Sequence, residues 1–409
     1  MEHVVRRYEK YKDGILFMLI VSGLWPNYDE HPEKLKIIFS ICSAVTTGGA
    51  TLGMVYFCIS NFTNVNVLTR GLGLMISYFS TFLKVIVLVY HKKNILKLSK
   101  GASAQFEEDL KTPANRPFLL AYFPTFSKFY YCFRYSVALN IFMMVLKPLL
   151  ALRQGKYIRT YPVKIPFEYE SGKELHDNYY LVKLLIIMNF HLLIGGLVHW
   201  IIYALEVAAG YYCWSVTVGV DTFFGFFTLH LVGELQLLSS RFADMKPDKN
   251  HRKIIKELVD RHNLLIEAQR TVQKIFGLLS VWLAITCAFI ICAIIFQATE
   301  TKNMTAYKAV YLLCYAFLKL VQAYSYAWYG HIITSERCLN EMYNSTWPGL
   351  GDVRLMKDIL FMQSQKPLIF KAKSCMIVQL DMFTKIIHTS ASYFFLLQTL
   401  DEGQIENFK

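Results

Sequence analysis

The sequence predicts an all-α protein that crosses a membrane seven times, with the N-terminus in the cytosol and the C-terminus outside. The first observation behind this is bulk composition. Of 409 residues 54% are hydrophobic and 18% charged, with a mean hydropathy of +0.32, whereas a soluble domain carries about 25% charged residues. The second is a series of apolar runs of the roughly 20 residues that a bilayer core demands of a helix. The third is the gathering of Lys and Arg in flanks between those runs, at 6–12, 92–100, 241–256 and 354–373, which the positive-inside rule places in the cytosol. The net charge of +13 is therefore spread over loops and not collected in one aromatic-laced patch, so membrane lipid is an expected partner and nucleic acid is not. The nine cysteines show no C-x-x-C or Cys/His metal spacing and mostly sit inside apolar runs as small hydrophobes. The apolar ILFMLIVSGLW after the basic N-terminus is short and lacks a small-residue cleavage site, so it does not read as a signal peptide.

The whole chain, 1–409, reads as one membrane unit. Residues 1–36 form a cytosolic N-terminal segment with a short amphipathic piece. The first span is Ile37–Ile59, where Gly48, Gly49 and Gly53 permit close helix approach, and the second is Leu72–Tyr90, interrupted by Lys84. HKKNILKLSK follows as a cytosolic flank, then a polar segment to about Ser127 and a third span over Phe129–Leu150. Residues 151–178 are too long for a hairpin and read as a folded external loop. From Tyr179 to Leu238 the chain is apolar for 60 residues, which as one helix would run about 90 Å against a core of about 30 Å. Two crossings would put the basic 241–256 on the wrong side. The expectation is thus one crossing over Val207–Leu238, preceded by 179–205 as an extension, a kinked lid or an extra interfacial helix. Helices one to four then occupy 37–238. Residues 239–373 hold a fifth span at Ile275–Gln297, a sixth at Tyr307–Ile333 and a cytosolic anchor; 374–409 hold the last span, Met376–Leu400, and an external tail. On that last helix Thr389, Tyr393, Leu396 and Leu400 share the 3.6-residue rhythm of one face.

Ionisable residues within spans are expensive and mark candidate sites. Here they are Lys84, Lys147, Asp221, Glu234, Lys319 and Lys385, with Asp221 deepest and in need of a partner or a water-filled cavity. His230 and Glu234 stand four apart on one helix face, but two ligands without a third are no metal site. His191 and His199 lack the tight spacing of membrane di-iron enzymes, and there is no P-loop, G-x-S-x-G or H-E-x-x-H. The sequence therefore points to no catalytic residues, no metal and no cofactor. A pocket for a small neutral molecule would be aromatic and apolar with a few hydroxyls. The candidates are Met75, Tyr78 and Phe79 on the second span, Ser136, Asn140 and Met143 on the third, Tyr211, Tyr212 and Trp214 in the fourth region, and Tyr311 and Tyr315 on the sixth. Of the N-x-[ST] sequons, the topology exposes Asn61 and Asn303 to glycosylation and hides Asn344.

The run YAWYGHIITSERCLNEMYNSTWPG (326–349), with FMQSQKPLIFKAKSCMIVQLDMFTKIIHTSASYFFLLQTL (361–400), resembles the insect odorant receptor family. The shared features are an aromatic–Gly turn followed by Ser, Tyr and Trp, a Gln-Lys-Pro element, and Ser-Tyr-Phe with Leu-Leu on the closing helix; GLWP (23–26) and DTFFGFFTLHLVGELQLL (221–238) add to them. The resemblance implies a ligand-gated, non-selective cation channel of four subunits, multi-pass in the plasma membrane of olfactory sensory neurons. It implies that 353–372 is the cytosolic half of helix seven and that the gate lies from Tyr393 to Thr399 and Leu400, with Leu396 at the hydrophobic constriction. It also implies a pocket between helices two, three, four and six, where Met75, Tyr78, Phe79 and Tyr311 fall at the family's positions. The implied ligand is a small neutral volatile, aromatic or heteroaromatic. The family's shared co-receptor carries a long insertion between helices four and five; here Ser240–Lys274 is only about 35 residues. That implies an odour-tuning subunit that assembles with the co-receptor as a heterotetramer. Gln398 is followed by Thr399, unlike the Gln-Phe ending of gustatory receptors. A G-protein-coupled receptor would have an external N-terminus and Glu/Asp-Arg-Tyr or Asn-Pro-x-x-Tyr motifs, and a membrane enzyme or transporter would show clustered catalytic polar residues or repeats; the sequence has none of these.

Overall fold

A computed structural model describes residues 1–25, 33–62, 65–152, 181–243, 251–300, 305–335, 353, 356–357, 360, 368–372 and 376–406. Helix α1 (Glu2–Val21) buries Tyr8, Tyr11, Ile15, Met18 and Leu19, a stripe at three-to-four-residue spacing, against the long helix α8. It ends in a reciprocal turn: Leu24 N–H reaches Leu19 O at 2.8 Å and Gly23 N–H reaches Ile20 O at 2.9 Å, with Gly23 at φ 71°. A left-handed residue is required there, and glycine takes it without a Cβ clash.

Helices α2 (Glu33–Ser60) and α3 (Val65–Tyr90) pack as neighbours. The short α4 (Lys92–Leu98), a π-helical turn (Ser99–Ser103), α5 (Ala104–Lys111) and α6 (Arg116–Leu119) lead to α7 (Phe123–Leu152). Helix α8 (Leu181–Ala243) is the central post, touching α1, α2, α3, α5, α6, α7, α9 and α10. Every residue from 218 to 235 on it is buried, and a helix apolar on all sides needs neighbours on all sides. Helices α9 (His251–Glu300) and α10 (Ala306–Ser335) follow, then strands β1 (Lys371–Ala372) and β2 (Met376–Ile377), antiparallel with Ala372 opposite Met376, and α11 (Leu380–Glu406).

Several boundaries differ from the sequence expectation. Of the arrangements weighed for 179–205, the structure has the extension: Leu181 onward is helical without a break into α8. At 63 residues α8 is about 95 Å long and outreaches a bilayer core. The basic flank near 251–256 is the first turns of α9 and not a loop, because Ile255, Leu258, Leu265, Val272 and Ile275 form a buried stripe that carries the helix on. Met376 and Ile377 belong to β2, so the last helix starts at Leu380 and runs on to Glu406, into the expected tail. Val378 N–H bonds Phe370 O at 3.0 Å there, which spends the amide on a sheet-like pairing instead of a helical one.

Among the described residues five helices are long and apolar enough to cross a membrane: Ile37–Ser60, Gly71–Tyr90, Arg116–Leu146, Trp200–Phe242 and Lys253–Thr299. The expected sixth and seventh spans coincide with α10 and α11, which are helical but more polar. The loop over 153–178, Asn303, Asn344 and most of 353–372 lie outside the described residues.

Candidate ligand site and pore helix

Asp221, the deepest carboxylate of the sequence, meets three donors from two helices. Lys84 Nζ of α3 stands 2.7 Å from Oδ1 and 2.8 Å from Oδ2, Gln322 Nε2 of α10 donates to Oδ2 at 2.6 Å, and Tyr326 OH donates to Oδ1 at 2.8 Å. Lys319 Nζ donates to Gln322 Oε1 at 3.3 Å and lies 5.7 Å from the Tyr315 ring centroid. A buried charge is tolerated when paired and hydrogen-bonded, and this node ties α3, α8 and α10 together at one depth.

Met75 and Tyr78 of α3 gather with Met54 (α2), Met144 (α7), Ala209 and Cys213 (α8) in an apolar cluster separate from the main core. Tyr315 of α10 binds the same helix: its OH donates to Gly73 O at 3.0 Å and pairs with Ser77 Oγ at 2.7 Å, while its ring stacks on Tyr311 at 6.1 Å. Phe79 points elsewhere, edge-on to Trp282 of α9 at 5.2 Å. Trp214 faces Arg134 of α7, donating to its carbonyl at 3.5 Å, and Tyr211, 42% exposed, packs beside Trp214 and Tyr212. Met143 offers its carbonyl to Tyr307 OH. Ser136 and Asn140 line an open groove of about 530 Å³ between α7 and α10. The eleven sequence candidates thus divide between an inner cluster, a groove and three side contacts.

Helix α11 touches α9 and α10 and buries Met382, Ile386 and Ser390, spaced by four. Tyr393 stacks on Phe289 of α9 at 5.2 Å. Exposed Ile387, Ala391 and Phe395 form an apolar row. Beside it runs a second exposed row, Asp381, Lys385, His388, Ser392 and Leu396, at steps of three and four. The side chains of Thr399 and Leu400 lie outside the described ones.

His230 uses both ring nitrogens within the protein, Nε2 with Tyr8 OH at 2.7 Å and Nδ1 with Ser103 Oγ at 3.0 Å. Burial, then the Glu107 carboxylate, hold the Tyr8 hydroxyl well above the usual phenol range, so Tyr8 donates to Glu107 at 2.8 Å. Its oxygen is then left to accept from Nε2–H, and Nδ1 accepts from Ser103. His230 is a structural joint between α1, the π-helical turn and α8.

The sequence profile of the seven-transmembrane odorant receptor family matches residues 64–391, well over half of the chain. The chain belongs to the insect odorant receptor family. It is 26% identical over 210 residues to odorant receptor 13a of Drosophila melanogaster, covering 46% of this chain and 50% of that one. To the putative odorant receptor 85d of the same fly it is 22% identical over 299 residues, covering 70% and 67%. The chain spans about half the length of the first curated relatives it matches. Its fold is that of the insect olfactory receptor OR5 from Machilis hrabei solved with eugenol: TM-score 0.77 at 15% identity, covering 97% of this chain and 99% of that one. The receptor is accordingly a multi-pass membrane protein of a receptor family, not an enzyme family. The part of the site that sequence reading missed in this odorant receptor is the set of partners around Asp221: Lys84, Lys319 and Asp221 stood out as intramembrane charges, but Gln322 and Tyr326 carried no signal beyond lying three and seven residues after Lys319 on the same helix.

Proposed function

We propose that this chain is an odour-binding subunit of a ligand-gated, non-selective cation channel in the plasma membrane of olfactory sensory neurons. In this reading all seven expected spans cross, α10 and α11 included, with the N-terminus cytosolic. Four subunits, the shared co-receptor among them, surround one pore. The single observation that carries the reading is the state of α11: α9 and α10 cover one side of it, and the other side presents Asp381, Lys385, His388 and Ser392 in a row leading to Leu396. A polar row on an apolar helix is costly against lipid and favourable against water. The ring of Leu396 side chains closes the conduit by excluding water from an apolar neck. The ligand site is the inner cluster around Met75 and Tyr78 with Tyr311 and Tyr315 at its side. Its aromatic and thioether lining suits a small neutral aromatic molecule, the class to which the eugenol of the Machilis receptor belongs. Opening follows from differential affinity, since a volatile shifts the gate only as far as it prefers the open arrangement of these helices.

Whole-cell recording from cells expressing the chain with the co-receptor, across an odour panel, tests this. Tyr78→Ala and Tyr311→Ala should raise half-maximal concentrations by roughly tenfold for some odours, in line with losing one well-packed aromatic contact, while surface expression holds. Currents that need no co-receptor, or identical odour responses in both variants, would overturn the assignment.

A further inference from the structure

The groove between α7 and α10 shares no lining residue with the inner cluster. Its walls are Tyr135, Leu139, Phe142 and Phe317, 47–67% exposed, with Cys314 and Asn140 between the helices. At about 530 Å³ it is within the range of small-molecule sites. Asn140 is 5% exposed, and its amide orientation is fixed by two carbonyls: Nδ2 donates to Ser136 O at 2.8 Å and to Cys314 O at 3.2 Å. Its Oδ1 is buried with no hydrogen-bond partner among the described residues. A buried acceptor without a donor is an exception that calls for an explanation, and here the residue that carries it lines an apolar cleft.

We propose that the groove is a recognition site for a small apolar molecule bearing one hydroxyl donor, an alcohol or phenol, whose O–H is accepted by Asn140 Oδ1. The exposed side chain of Leu139 swings aside to admit the hydroxyl, and Tyr135, Phe142 and Phe317 hold the hydrocarbon part. Ethers, ketones and esters of the same skeleton offer only acceptors, so they fill the cleft without satisfying Oδ1 and bind less tightly. An acyl chain of the bilayer, the other occupant a groove of this kind attracts, likewise brings no donor. The site stands apart from the channel reading, because occupancy of the groove is measurable without gating.

Cys314 lines the groove, while Cys132 is exposed on α7 outside it. The full-length chain in lipid nanodiscs is treated with methyl methanethiosulfonate, and modification of each cysteine is followed by peptide mass spectrometry. 2-Phenylethanol should slow modification of Cys314 at concentrations roughly fivefold to tenfold below those needed of its methyl ether, the margin of one hydrogen bond, with Cys132 unaffected by either. Asn140→Leu should bring the alcohol to the level of the ether. Leu139→Trp, which leaves the amide intact and fills the cleft, should remove protection by both. Equal protection by alcohol and ether in the natural chain, no protection by either, or an alcohol preference that survives Asn140→Leu would each overturn the proposal. The test reads occupancy alone, so a channel that fails to open to odours sinks the proposed function and not this site.

Discussion

At the scale of single residues, the decisive group is the Asp221 carboxylate. It neutralises Lys84 directly, and its acceptance from Gln322 turns that amide's oxygen toward Lys319. Removing one partner of a buried pair leaves the other charge stranded, at a cost of about 3–5 kcal/mol. Asp221→Ala should therefore sharply lower the melting temperature of the purified chain and its surface expression. Pairing Asp221→Leu with Lys84→Met should recover part of the loss, since no lone charge then remains between α3 and α8. A melting temperature unchanged by Asp221→Ala would show that the node does not support the fold. The same logic applies more mildly at His230, a few turns further along α8. Tyr8→Phe takes the acceptor from buried His230 Nε2–H, a cost of about 1–3 kcal/mol for one buried donor left unmade, readable as lower thermal stability of the chain; Glu107 keeps Lys12 and solvent.

At the scale of elements, close approach is what sets α11 in place. A Cβ on Gly330 of α10 would stand 2.0 Å from the carbonyl oxygen of Val378, a backbone atom that no rotamer change can move aside. The absence of a side chain lets α10 rest on the chain segment that enters α11, and only glycine fits. Gly330→Ala should separate the two, lowering folded yield and assembly by size-exclusion chromatography. A Cβ on Gly49 of α2 would meet nothing within 4 Å among the described residues, so Gly49→Ala should be neutral or stabilise by about 0.5–1 kcal/mol through helix propensity. If the two substitutions behaved alike, packing at Gly330 would not be the cause. The length of α8 and α9 belongs to this scale too: stripes of buried apolar residues continue past the bilayer-sized runs, so each helix outreaches a bilayer core, and α8 gives α1 a surface to dock on.

At the scale of the whole molecule, a single chain leaves α11 half covered, with two exposed rows of different chemistry. The proposed pore assigns the polar row to water and the row of Ile387, Ala391 and Phe395 to neighbouring subunits or lipid. In channels opened by odour, a charged thiol reagent should alter currents in Ser392→Cys and leave Ser390→Cys unchanged, because Ser390 is 1% exposed and faces the protein. Modification at both positions, or at neither, would remove this face from the conduit. Leu396→Ala should widen the neck and raise current in the absence of odour; unaltered leak and selectivity would place the gate on another residue.

The membrane class, the positions of nearly all the long helices and the family were legible in the chain itself, because hydropathy, loop charge and the 326–349 motif are local properties of consecutive residues. The costly intramembrane charges also announced themselves: Lys84, Asp221 and Lys319 stood out by chemistry alone. Their partners did not, since Lys84 and Asp221 are 137 residues apart and only the packing of α3, α8 and α10 makes them neighbours. The division of the candidate ligand residues is of the same kind. Met75, Tyr78 and Phe79 lie within five residues on α3, yet the rotation of about 100° between successive residues of a helix sends Phe79 to Trp282 and Tyr78 to the inner cluster. Sequence thus determined which groups a membrane would penalise and roughly where the long helices lie. Tertiary structure alone decided which of those groups meet, because a meeting depends on the angle at which each side chain leaves its helix and on the neighbour packed there.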